Sequence, residues 1–438
     1  MAVTATASAD EIAAERNAGR ASSAELLEPF LGRIAAYEPQ VLSLVDRRTA
    51  RTEAMQEASG VLAGVPVTIK DVIDTCDLPT QHGSPIYAGN RPQVDAPLVG
   101  RLRAAGATIL GKAVTAEFAI RTPRETRNPH DLERTPGGSS SGSASSVASG
   151  FATVSIGTQT TASTIRPASF CGVFGLKPTH GSISLDGVFV HSHTMDTVGI
   201  FARHADDLGR TLRVIASSHA IKAMRMQGLR RGPVAASRTL GVLRVPDWSG
   251  LDAECAAVLV DALDTLRERW SIVEVVPPDE MDRAWSAQPI VHHVESAVNL
   301  DNEYRNHREQ LSPQLVDLIE QGQRELHDGY EEALRALMTA TAAADRLFAT
   351  ADLLIMPCAS DVAPIGLARS GGAEFGRLAS ATGLPAVAVP GLRMSGLPFG
   401  LQVIGPRHSD LDLVDAAGRI AEVLGHDPSV FPAMTPSL

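Results

Sequence analysis

The sequence predicts an α/β fold: a large, twisted, mostly parallel sheet covered by helices on both faces. Three observations carry that expectation. Short apolar runs such as Leu353-Leu354-Ile355-Met356-Pro357 alternate with amphipathic helical stretches, and strands that stay apolar along their length belong to sheets covered twice. No segment repeats at a period of roughly 20 to 50 residues, which argues against a solenoid. The composition, 44% hydrophobic and 20% charged over 438 residues, is that of a folded protein with a large core.

Residues 10 to 36 read as one or two helices, with Ser22 and Glu25 as a capping box and Leu26, Leu27, Phe30, Leu31 and Ile34 on one face. Val61 to Asp71 is an apolar strand that ends in Lys70. Asp95 is placed to cap a helix with Pro97 in its first turn and Gly106 at its end, followed by an extended Ala107 to Leu110. A loop rich in Arg, Asn and Pro (Arg121 to Pro136) leads into residues 137 to 178, a stretch too rich in small residues for an ordinary helix or strand. Alternation then resumes: Thr239 to Val245 extended, Ala253 to Arg269 helical, Ser271 to Val276 extended, two polar helical stretches, and Leu353 to Pro357 extended. A helix near Phe375 to Thr382, strands Ala386 to Val389 and Phe399 to Ile404, and a helix from Leu411 to Leu424 before Gly425 complete the chain. Residues 217 to 237 read as an exposed excursion placed to act as a lid.

The net charge of −11 argues against nucleic acid or an anionic membrane as the main partner, and the one basic cluster, Arg225 to Arg231, reads as a solvated loop. Cys76, Cys171, Cys255 and Cys358 are widely spaced, so reduced thiols are expected rather than a zinc site or a disulfide framework. The first residues lack the basic start and apolar core of a secretory signal, and no apolar run is long enough to span a bilayer. A cytoplasmic location is the expectation.

The serine-rich stretch can be read in more than one way from its residues. A phosphate cradle of the P-loop kind needs a lysine that does not follow here. Gly138-Ser139-Ser140-Ser141-Gly142 satisfies the GxSxG pattern with Ser140 as nucleophile, but residues 127 to 136 carry two prolines and too much polarity for the strand that an elbow requires. Lys70 is unusual at the end of an apolar strand, since a buried ammonium must be paired or neutralised; a snorkelling surface lysine is the other reading. His191 and His193 lack a third ligand at useful spacing for zinc, and structural or substrate-lining roles are expected. His292-His293 reads as a solvated or pocket-edge pair, and Trp248, Trp270 and Trp285 as core residues.

Several segments together resemble the amidase signature family of serine hydrolases. They are Gly64 to Asp71, Gly137-Gly138-Ser139-Ser140-Ser141-Gly142-Ser143, Gly157 to Ala168, Phe170-Cys171-Gly172-Val173-Phe174-Gly175-Leu176-Lys177-Pro178-Thr179, Asp196 to Arg203 and Gly383 to Gly405. The resemblance implies one domain over 1–438 with a three-layer α/β/α architecture and a mixed, mostly parallel sheet. Its signature core would span about 61–215, a variable helical substrate-lining region about 216–350, and a C-terminal part, 351–438, would complete the sheet. It also implies a triad: Lys70 as base, Ser139 as bridging serine and Ser163 as nucleophile, the two serines 163 − 139 = 24 residues apart as in the family. Backbone N–H groups of Thr160, Thr161, Ala162 and Ser163 would hold the oxyanion. No cofactor or metal is called for.

The implied activity is hydrolysis of a C–N bond in a small amide or carbamate, with aryl or small-alkyl groups expected, by a monomer or homodimer. The alternatives are a partner-dependent amidase-like subunit of an amidotransferase and an esterase. Three departures from the family pattern stand out. Thr161 and Ala162 stand where glycines are usual, and a β-branched residue would be strained if the position needs positive φ. Gln159 stands for an aspartate, and Gly199-Ile200 for Gly-Pro.

Overall fold

The computed structural model describes residues 3–47, 59–231 and 239–436. Eleven strands, β1 (Leu44–Arg47), β2 (Pro66–Lys70), β3 (Thr108–Ala113), β4 (Val154–Gln159), β5 (Phe174–Lys177), β6 (Thr197–Ala202), β7 (Thr239–Leu243), β8 (Ser271–Val275), β9 (Leu353–Pro357), β10 (Ala386–Met394) and β11 (Leu397–Ile404), join one sheet. Their order is β1-β3-β2-β4-β6-β5-β10-β11-β9-β7-β8.

Period-2 alternation divides several strands between two cores. Val387 and Val389 of β10 point into one cluster and Ala386 and Ala388 into the other; Leu353 and Ile355 of β9 oppose Leu354 and Met356 in the same way. The first cluster is closed by helices Ala9–Asn17, Ser23–Val41, Pro97–Ala104, Ala205–Ile215, Ala253–Leu266 and Asp410–Val423, the second by Ser141–Ala148, Ile165–Cys171, Asp279–Asn299, Tyr330–Ala343 and Arg377–Ala381. The three-layer α/β/α arrangement around a mixed sheet is therefore as expected.

The share of parallel pairing is smaller than the alternation suggests. β2 runs parallel to β3 and β4, and β7 to β8 and β9, while the other neighbours are antiparallel. Two causes are visible. β6 inserts between β4 and β5 with its direction reversed, and β10 returns directly into β11 through a turn at Ser395 and Gly396 with no helix between them.

The serine-rich stretch is more regular than its composition implies. It contains helix Ser141–Ala148, β4, helix Ile165–Cys171 and β5, and every residue of Ser141–Ala148 is buried. Small side chains serve here because backbones approach closely: a Cβ on Gly142 would lie 2.3 Å from Ser43 O and 2.3 Å from Val114 N.

Other differences are local. Ala96, not Asp95, is the N-cap of Pro97–Ala104, because Asp95 accepts from the Cys76 N–H and pairs with Arg103 at 2.9 Å. Between β8 and β9 the chain forms helices Asp279–Asn299, Asp301–His307, Pro313–Glu325 and Tyr330–Ala343 rather than two. The excursion from 217 is a helix, Ser218–Arg231, whose Ala220 and Met224 are buried in the first cluster; residues 232–237 of it lie outside the described residues. No helix among the described residues is long and apolar enough to cross a membrane.

Replacing Gly142 with alanine puts a methyl against two backbone atoms that cannot rotate away. The expected cost is about 1–3 kcal/mol, read as a lower midpoint in denaturant with an unchanged slope.

Candidate active site

β2 and β4 are parallel neighbours, and the site lies where they end. β2 finishes at Lys70, which is wholly buried. Its Nζ lies 2.8 Å from Ser139 Oγ and 2.7 Å from Thr158 Oγ1 on β4. Burial disfavours the ammonium and the nearby Asp196 carboxylate only partly offsets this, so the lysine is pushed down from 10.5 to about 7. The snorkelling reading of Lys70 is thereby excluded.

Ser139 is held on both sides. Its carbonyl accepts from the Ala116 N–H at 3.1 Å, and the Gly138 carbonyl before it accepts from the Arg166 guanidinium; the peptide bond between the two residues is cis. Arg166 also donates to the carbonyls of Gly371 and Gly372, each at 2.9 Å. Ser140, the candidate of the GxSxG reading, is fully buried. Its hydroxyl donates to Thr158 O at 3.0 Å and accepts from Thr158 N at 3.2 Å, so it ties the chain to β4 and does not line the cleft.

Ser163 sits in the turn between β4 and helix Ile165–Cys171 and lines the same cleft as Ser139. Gln159 builds this turn. Its side-chain oxygen accepts from the N–H of Thr164 at 2.8 Å and of Ile165 at 3.0 Å, two of the donors that a helix start leaves open. An amide oxygen thus does here what a carboxylate could do. Thr161 and Ala162 also fit without strain, since neither has positive φ. The Thr161 carbonyl accepts from Ser380 Oγ and its hydroxyl from Gln288 Nε2, both at 2.9 Å. Ala162 uses room left by Gly376, where a Cβ would lie 2.6 Å from the Ala162 methyl and 2.4 Å from Thr161 O. The backbone N–H groups of Thr160, Thr161, Ala162 and Ser163 have no protein acceptor among the described residues, and all four residues line the cleft.

Thr160 is oriented from behind. Its Oγ1 lies 2.5 Å from Asp196 Oδ1 and 2.8 Å from His191 Nε2. Asp196 Oδ2 accepts from the N–H groups of His191 and Ser192 at 2.9 and 3.2 Å. Burial raises Asp196 to about 6 against these hydrogen bonds and lowers His191 to about 3, so the imidazole is neutral. With Thr160 donating to Asp196, His191 carries its proton on Nε2. Helix Asp279–Asn299 secures this loop through Glu295, which accepts from Ser192 Oγ at 2.6 Å and from Tyr330 OH at 3.1 Å. The same helix places Gln288, His292 and Glu295 one turn apart on one face.

The cleft, about 510 Å³, is lined by Ser139, Thr160 to Ser163, Arg166 and His191, and closed by residues from Ala116 to Arg121, from helix Asp279–Asn299 and from Ala368 to Arg377. His292 and His293 both border it, whereas no residue of helix Ser218–Arg231 does, so the expected lid is a packed helix elsewhere. His193 is exposed. Of the residues that the sequence motifs single out, Lys70 meets Ser139 and Ser163 shares the cleft of Ser139; Thr158, Gln288, Ser380 and Gly376 were not foreseen. Gln288 had a legible signal, its helical spacing from His292, while Ser380 and Gly376 had none.

A family model described as Amidase matches residues 25–414. A glutamyl-tRNA(Gln) amidotransferase subunit from Symbiobacterium thermophilum is 33% identical over 478 residues, covering 95% of this chain and 96% of that protein. Its counterpart from Anaeromyxobacter dehalogenans is 35% identical over 469 residues, covering 93% and 94%. The structure of 6-aminohexanoate cyclic dimer hydrolase complexed with substrate superposes with a TM-score of 0.85 at 25% identity, covering 98% of this chain and 99% of that one.

Removing the side-chain oxygen of Gln159 strands two buried N–H groups. Gln159→Leu is expected to cost about 1–3 kcal/mol, measured by denaturant unfolding, with Gln159→Glu retaining most of the stability at neutral pH.

Proposed function

Because the chain belongs to the amidase family, its model matching residues 25–414, we propose that it cleaves the C–N bond of a small amide through an acyl-enzyme on Ser163. Ser139 and Lys70 relay the proton. The observation that carries this reading is the contact of a dry, near-neutral lysine amine with Ser139 Oγ at 2.8 Å, in a cleft that Ser163 shares.

A serine hydroxyl is a weak nucleophile until a base takes its proton. Neutral Lys70 accepts the Ser139 proton while Ser139 accepts that of Ser163, and Ser163 Oγ attacks the carbonyl carbon. The carbonyl π electrons move to oxygen, where the N–H groups from Thr160 to Ser163 stabilise the charge; each such donor is worth roughly 10²- to 10³-fold. The C–N bond then breaks as Ser139 returns a proton to the departing nitrogen and Lys70 reprotonates Ser139. Water enters by the same relay, attacks the ester and frees the acid, restoring Ser163. Asp196 and His191 position Thr160 and so the first of these donors. Small carbamates, with aryl or alkyl groups, and esters need the same acyl transfer, which keeps them within the reading.

A second reading has specific support: the curated relatives at 33% and 35% identity are named as subunits of an amidotransferase. Under it the same chemistry at Ser163 operates within an assembly. That naming favours this reading over stand-alone hydrolysis, so the two are separated by assaying the purified chain by itself on p-nitroanilide amides, carbamates and esters. Turnover by the isolated chain supports the hydrolase; inactivity alone with activity restored by a co-expressed partner supports the assembly.

Ser163→Ala is expected to lower turnover of every accepted substrate by about 10³-fold or more; retained activity removes Ser163 from the nucleophile role. Labelling by a fluorophosphonate is expected to fail in Lys70→Ala and Ser163→Ala alike. Since the base form of Lys70 is required and lies above about 7, kcat/KM should rise with pH to a plateau, with its midpoint near 7. A profile flat from pH 5 to 9 contradicts the base assignment.

A further inference from the structure

Resting on the amide-hydrolase reading, the charge of the cleft narrows the substrate class. The chain carries 50 Asp and Glu against 39 Lys and Arg, yet the cleft is lined by Arg121, Arg166, Arg369 and Arg377 and by no aspartate or glutamate. Elsewhere on the surface arginines meet acids directly: Arg20 with Glu15 at 2.8 Å, Arg103 with Asp77 at 2.7 Å, Arg244 with Glu274 at 2.9 Å and Arg308 with Glu320 at 2.6 Å. At the cleft they do not.

Each cleft arginine can be followed to its partners. Arg166 is committed to the Gly138, Gly371 and Gly372 carbonyls and Ser370 Oγ, with Glu374 as the nearby acid. Arg121 Nη2 donates to a ring nitrogen, His293 Nε2, at 3.0 Å, and only the other ring nitrogen of His293 faces Glu325, at 3.0 Å. The Arg377 guanidinium lies over the Trp285 ring at 5.8 Å and has no hydrogen bond or ion pair among the described residues. Arg369 is exposed and likewise without either among the described residues.

A cleft walled by one sign of charge concentrates the field and draws in ligands of the opposite sign. A guanidinium fork matches a carboxylate with two parallel hydrogen bonds. We propose that the substrate is a small amide bearing a free carboxylate, received by Arg369 and Arg377 with Arg121 contributing, all three lining the cleft. An amide of an α-amino acid fits less well, because its ammonium group would meet arginines and no lining carboxylate.

The test separates binding from chemistry. Full-length Ser163→Ala protein is titrated calorimetrically with the monoanilides of malonic, succinic and glutaric acid, with the methyl ester of each, and with glutamine. At least one acid is expected to bind about tenfold or more tighter than its ester, with the gap closing as salt is raised. Adding Arg369→Gln or Arg377→Gln to Ser163→Ala should lower the acid-to-ester ratio, and both together should bring it to about one. Equal binding of every acid and its ester, a ratio unmoved by the arginine changes, or preferred binding of glutamine overturns the proposal. Wild-type turnover is then read on the same compounds. Amides hydrolysed without preference for the acid leave the chemistry standing and remove this inference; an acid bound selectively yet never hydrolysed removes the chemistry and leaves the recognition.

Discussion

Everything at this site depends on an amine kept out of water. Lys70 ends a strand whose every residue is buried, and it is met by two hydroxyls rather than by a carboxylate. That choice of neighbours is what weakens its hold on a proton. Hydroxyls satisfy the nitrogen's hydrogen bonds without compensating a positive charge, so burial prevails and the proton is held weakly. Lys112, on adjacent β3, supplies the contrast. It is just as buried but lies 3.6 Å from the Asp71 carboxylate and donates to the Ile73 carbonyl and Thr80, and it is lowered less, to about 8. One lysine is paired for structure; the other is left unpaired at a cleft.

Keeping that amine dry while leaving Ser139 and Ser163 open to a substrate sets the packing around it. The small residues of Ser141–Ala148 let the helix sit directly against the sheet, and Ser140 uses its hydroxyl to join the two. On the open side, Ser380, Gln288 and Gln159 hold the turn that carries Ser163. These supports come from segments far apart in sequence, which is how a loop of four small residues acquires a defined shape.

The departures from the family pattern become intelligible in the same terms. A glutamine supplies the helix-start acceptor through its amide oxygen. Thr161 and Ala162 are accommodated because the loop needs no positive φ and because Gly376 stands opposite. What the pattern does for the backbone is kept, and the residue types are free to change where another neighbour makes up the difference. The cationic lining, by contrast, serves no backbone: apart from Arg166, its guanidinium groups hold no carbonyl in place among the described residues, which leaves them free for the recognition proposed above.

By itself the sequence determined the fold class, through apolar runs alternating with amphipathic ones, and it singled out Lys70, Ser139 and Ser163 as candidates, through motifs whose spacing survives without any coordinates. It also marked Lys70 as anomalous on physical grounds alone. Tertiary structure decided the rest. Strand direction in the middle of the sheet was not legible, because a residue's burial does not depend on which way its strand runs. The regular elements hidden in the serine-rich stretch were masked by weak propensity, and packing against the sheet overrides propensity. The lining of the cleft was invisible for a simpler reason. Arg121 and Arg369 are separated by a long stretch of chain and carry no common pattern, and only the folded backbone brings them to one cleft.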